Sequence, residues 1–103
     1  MSVVVVATIT PLDGHLEDVV NAFALISPKV HAEPGNELYA LHRDADTVIM
    51  IERWTSPEDL AAHAQGAAIT ELNAAVAAHV AGPSDVRVLR NVPLGDPDKG
   101  TIQ

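Results

Sequence analysis

Between Thr47 and Trp54 the chain reads TVIMIERW, with apolar side chains from Val48 to Ile51 before any charge appears. Successive side chains in a β-strand point to opposite faces. A strand with one covered face alternates apolar and polar residues, whereas an unbroken apolar run calls for cover on both sides. Val3 to Val6 repeats the pattern near the start of the chain. Any fold for this sequence must therefore supply two covers for one sheet, from only 103 residues.

The order of elements narrows the choice. VVVVATIT, Val3 to Thr10, is a β-branched run without helical period and reads as a strand. Pro11, Asp13 and Gly14 break it. From His15, apolar residues recur at Leu16, Val19, Val20, Phe23 and Ile26, the spacing of one helical face. Pro28 removes a backbone donor and is expected to kink or end this helix, or to leave Val30 in one last turn before EPG, Glu33 to Gly35, as the stop. Leu38 to His42 and Thr47 to Trp54 read as an antiparallel pair joined by RDAD, Arg43 to Asp46. SPED, Ser56 to Asp59, combines a capping serine, a proline at the first helical position and acids facing the positive helix end. Gly66 interrupts that helix. A second segment then sets Ile69, Leu72, Val76 and Val80 on one stripe until Gly82 and Pro83. DVRVL, Asp85 to Leu89, alternates like a last strand.

The pattern is βαββαβ, with the helix after the third strand broken in two. It predicts an α+β, ferredoxin-like domain over residues 1–92: a four-stranded antiparallel sheet with helices on one face. Residues 93–103, rich in Pro and Gly, read as a C-terminal tail expected to dock on a partner subunit.

One layer of helices leaves the reverse of the sheet bare. At about 25 cal/mol per Å2, some ~500 Å2 of wet apolar surface forfeits roughly 12 kcal/mol, comparable with the whole net stability of a small domain. The economical cover is the same face of a second copy about a two-fold axis. A homodimer through the sheet face is the expectation.

Charge and composition exclude other classes. Six Lys and Arg against fourteen Asp and Glu give a net charge of −8, which repels phosphate backbones and anionic membranes, so neither nucleic acid nor membrane is an expected partner. The first ten residues lack the basic and long apolar regions of a signal peptide, and a cytoplasmic location is expected. Without cysteine there is no disulfide scaffold, thiolate metal site or cysteine nucleophile. No histidine pair shows metal-ligand spacing along the chain, and no metal is expected.

Four short pieces stand in register between Glu33 and His63: Glu33-Pro34-Gly35, Tyr39-Ala40-Leu41-His42-Arg43, Glu52-Arg53-Trp54 and Ala62-His63. Together they resemble the antibiotic biosynthesis monooxygenase family, in its quinol-monooxygenase type. The resemblance implies a dimeric α+β barrel. It further implies oxygenation of a quinol, phenol or polyketide-like aromatic by O2, with no flavin, haem or metal cofactor. Such substrates form stabilised anions able to pass an electron to O2 themselves. The protein then has to bind the ring between sheet and helices, assist deprotonation and exclude water.

Within that reading Trp54 positions the ring and His63 takes the phenolic proton, while Met50, Glu52, His42, Phe23, Leu60 and Asn73 surround the substrate. Plainer readings stand beside these. Trp54 could plug the core, and a lone helix histidine such as His63 is more often a surface or capping residue. Glu52 could pair with Arg43 or Arg90. His42 could serve only its loop, Phe23 the packing and Asn73 the surface. His15, His31 and His79 read as solvated helix positions.

The chain also departs from the family. Leu60 stands where members acting on anthraquinone precursors carry a tyrosine. Gly66-Ala67-Ala68-Ile69 replaces the S-P-H-F of many quinol-type members. Positions matching the haem-degrading branch hold Thr8 or a neighbour, His63 and Asn73, which disfavours haem degradation. A non-catalytic barrel binding a small aromatic ligand, of stress-response or carrier type, is therefore the alternative.

Overall fold

In the computed structural model, which describes residues 2–102, strands β1 (Val3–Ile9), β2 (Asn36–Arg43), β3 (Val48–Trp54) and β4 (Asp85–Leu89) form one antiparallel sheet in the order β2-β3-β1-β4. Helices α1 (Leu16–His31), α2 (Pro57–Ala64) and α3 (Ala67–Val76) complete the expected ferredoxin-like arrangement.

Register decides which residues face the helices. Tyr39, Glu52, Val5 and Val88 lie in one cross-strand row, and Leu41, Met50, Ala7 and Val86 in the next. On this inner face Val5, Met50 and Trp54 are almost wholly buried beneath a helical layer that contributes Val19, Phe23, Ile26, Val30 and Leu72. The opposite parity carries Val6, Thr8, Ile49 and Ile51, all half-buried. Val4, also on that outer side, is buried. Beside it Arg53 Nη1 donates to the Ile102 carbonyl at 3.2 Å, so the tail returns to the outer face of its own sheet.

Local chemistry explains the boundaries. In the β2–β3 loop, Asp44 Oδ1 accepts hydrogen bonds from the Asp46 and Thr47 amides and the Thr47 hydroxyl, and these hold its carboxyl below the usual range. Ser56 Oγ accepts from the Asp59 amide at 3.2 Å, the cap the sequence announces. Gly35 has φ +79°, and a Cβ there would collide with the Asp59 side chain, so the EPG turn requires glycine.

Pro28 does not end α1: the last turn through Val30 carries it to His31, just before the EPG stop, because Ile26 and Val30 share the buried stripe and are both fully covered. One boundary differs from the sequence reading. Helix α3 stops at Val76 rather than running on to Val80, which instead forms an isolated bridge with Pro11. The backbone leaves the helical path there to reach the end of β1, with Ala81 N–H donating to the Thr10 carbonyl at 2.8 Å.

Candidate functional site

The helices do not close completely on the sheet. A cavity of about 250 Å3 remains between them. Its floor is Val5, Ala7 and Ile9 of β1 with Met50 and Glu52 of β3, and Tyr39 of β2 stands at one side. Phe23 of α1, Leu60 and His63 of α2, and Ile69, Leu72, Asn73 and Val76 of α3 form the roof. Val86 of β4 flanks the cavity but is itself 57% exposed, so that side is the open one. An apolar chamber with a few convergent polar groups is the usual form of a small-molecule site.

The polar groups gather at the end of the cavity nearest Trp54. Trp54 is fully buried, and its indole N–H donates to Glu52 Oε1 at 2.9 Å. His63 stacks on the indole with ring centroids 4.6 Å apart and planes at 30°. Its Nδ1 lies 2.6 Å from Glu33 Oε1. Tyr39 presents its ring to His63 edge-on, at a centroid distance of 6.1 Å. Gly66 makes room for this arrangement: a Cβ at that position would sit 3.1 Å from Glu33 Oε2, tighter than ordinary contact. The helix break therefore admits the carboxylate that holds His63.

Burial shapes the titration here. Desolvation pushes the Glu52 carboxyl up, and Glu33 adds to this, while the Trp54 hydrogen bond and nearby His63 partly oppose it. Burial, reinforced by Glu52 and Glu33, also pushes the Tyr39 hydroxyl well above its ordinary value, so it remains a neutral phenol.

Six residues read as site residues from the sequence line this cavity: Phe23, Met50, Glu52, Leu60, His63 and Asn73. Trp54 does not; it lies behind His63 with its N–H committed to Glu52. Glu52 accordingly pairs with the indole rather than with an arginine, and Arg43 instead reaches Glu17. His42 is exposed beside Ile49 on the outer side of the sheet, its Nδ1 3.1 Å from the Ala40 carbonyl, and stands away from the cavity. Glu33 and Tyr39 are the residues that sequence reasoning missed. Glu33 looked like part of a turn, and its contact with His63 spans 30 positions.

The sequence profile of antibiotic biosynthesis monooxygenases matches residues 2–75. The chain belongs to that family. Among solved structures, Rv0793 from Mycobacterium tuberculosis superposes with a TM-score of 0.80 at 23% identity, covering 93% of this chain and 98% of that one. PA3566 from Pseudomonas aeruginosa gives a TM-score of 0.80 at 23% identity, covering 88% and 94%. A structure described as an antibiotic biosynthesis monooxygenase gives 0.80 at 22%, covering 88% and 99%. At such identities the superpositions establish the antibiotic biosynthesis monooxygenase fold alone. No curated protein matches the chain. Among the described residues, no helix is long and apolar enough to cross a membrane.

Proposed function

We propose that the chain is a monooxygenase for a small quinol, phenol or anthrone-like aromatic that reacts directly with O2. The observation carrying this reading is His63, buried at the cavity wall with Glu33 on its Nδ1. A carboxylate at Nδ1 favours the tautomer with its proton there and leaves the Nε2 lone pair as the base. The imidazolium formed by taking a phenolic proton is stabilised by the same carboxylate. The substrate anion gives an electron to O2, the resulting radicals combine at carbon, and loss of water leaves a carbonyl. For an anthrone CH2, uptake of O2 yields C=O and H2O, so the substrate supplies every electron and no flavin, haem or metal is required. Tyr39, neutral in its buried setting, donates a hydrogen bond to a substrate oxygen. Trp54 serves as the platform for His63 rather than for the substrate.

The apolar parity of the outer sheet face supports a homodimer through that face, with Ile49 and Ile51 at its centre. Ile51→Lys is expected to give a monomer in analytical ultracentrifugation while the wild type sediments as a dimer. A wild-type monomer at micromolar concentration would reject the dimer without touching the chemistry.

Oxygen consumption with a panel of quinols and anthrones tests the reaction. Wild type should exceed the uncatalysed rate, and His63→Ala should lose on the order of 100-fold of the excess. Glu33→Gln should lose less and shift the pH profile. Leu60, at a position where related oxygenases carry a tyrosine, favours a second reading as a binding barrel for a small aromatic. Saturable ligand binding with no oxygen uptake across the panel would select it.

A further inference from the structure

Helix α1 begins at the end of β1 remote from Trp54, and there three side chains from two distant stretches of chain converge. His15 Nδ1 and His79 Nδ1 face each other at 2.9 Å, across 64 positions of sequence. Asp18 Oδ2 lies 3.4 Å from the first and 3.7 Å from the second. Imidazole and carboxylate ligands bond zinc at about 2.0–2.2 Å, which puts neighbouring donors of a tetrahedral centre roughly 3.3 Å apart. The three separations bracket that spacing. Two neutral imidazoles presenting the same nitrogen to each other can share only one proton, whereas a cation takes the lone pair of both.

The backbone holds the three in place. Leu12 binds both histidines: its carbonyl accepts from His15 N–H at 2.9 Å, and its N–H donates to the His79 carbonyl at 2.8 Å. His79 N–H in turn donates to the Val76 carbonyl at 2.8 Å. Asp18 lies three residues beyond His15, hence on the same helix face. The side chains are 31–50% exposed, leaving access for an ion and for water to complete its coordination. The net charge of −8 favours cations near the surface generally.

We infer that His15, Asp18 and His79 form a site for a divalent transition metal of the zinc, nickel and cobalt class. Two nitrogens and one carboxylate oxygen suit these ions and not magnesium, which prefers oxygen ligands and keeps its waters. The bound ion clips the start of α1 to the segment after α3. Val76, a cavity wall residue, precedes that clip by three positions, so metal occupancy steadies one side of the chamber without entering it. The inference is independent of the oxygenase reading.

The test uses full-length protein without a polyhistidine tag, stripped with chelator. Zinc and nickel should bind in calorimetry at one ion per chain. At tenfold excess over the dissociation constant, zinc should raise the thermal midpoint by roughly 5 °C. Cobalt(II) should acquire the visible absorption of a nitrogen-ligated ion, and magnesium should do nothing. His15→Ala and His79→Ala should each weaken zinc binding at least tenfold, Asp18→Asn by less, and His42→Ala should leave it unchanged. Circular dichroism of the stripped variants confirms that each is folded. Absence of saturable zinc or nickel binding by wild type overturns the proposal. So does binding that persists unchanged in the His15→Ala/His79→Ala double variant.

Discussion

Two histidine clusters occupy opposite ends of the same layer, and burial separates what each can do. At the Trp54 end, His63 is sealed against an indole and a carboxylate, with Glu52 and Tyr39 buried alongside. At the far end, His15 and His79 are partly exposed around Asp18. The first cluster is closed off from solvent, and burial there holds the Glu52 and Tyr39 protons more tightly than usual, a setting suited to acid–base work. The second is partly open to water, so a cation can reach it. Similar residue types acquire different chemistry from their surroundings alone.

The contrast should be largest in stability. Trp54→Ala removes the largest fully buried side chain and the plate beneath His63, and should cost about 3–5 kcal/mol in urea unfolding. A loss under 1 kcal/mol would mean the sealed end is not sealed. Gly35→Ala should follow at about 2 kcal/mol, because the left-handed backbone and the Asp59 side chain both oppose a Cβ. It should also disturb Glu33, two residues earlier, and so lower His63-dependent turnover.

A subtler difference lies in pH dependence. Burial raises the Glu52 carboxyl in the folded state, so the folded protein holds that proton more tightly than the unfolded chain. Its contribution is fully present below the ordinary carboxylate range and is lost as pH rises through the raised value. Glu52→Gln keeps an acceptor for the indole and cannot ionise, so it should gain stability over wild type as pH increases toward neutrality. Urea unfolding of both proteins between acid and neutral pH measures this; parallel curves would reject it. Smallest of all, His15→Ala and His79→Ala in metal-free protein should each lie within about 0.5 kcal/mol of wild type, as expected for partly exposed side chains outside the core.

Much of the fold was legible because it rests on local rules. The apolar runs at Val3 and Val48, the SPED cap and the Gly66 break each depend on neighbours in sequence, and β4 has the bounds read from DVRVL. Where neighbours misled, tertiary structure prevailed: the approach to Thr10 ended α3 at Val76 rather than Val80. Six wall residues were named through the family resemblance, and strand parity and helix stripe agree with Met50, Glu52 and Phe23 among them. Partnerships were not, since Glu33 with His63 and His15 with His79 are set by where loops return. No pattern within one element encodes such a meeting.

Strand β4 carries a further implication. It is an edge of the sheet, five residues long, between Pro83 and Pro93. Proline has no amide hydrogen to offer a neighbouring chain, and so short a margin can template few rungs of added sheet. A chain this rich in β-branched residues is thereby guarded on that flank against runaway strand addition, the first step towards fibrils.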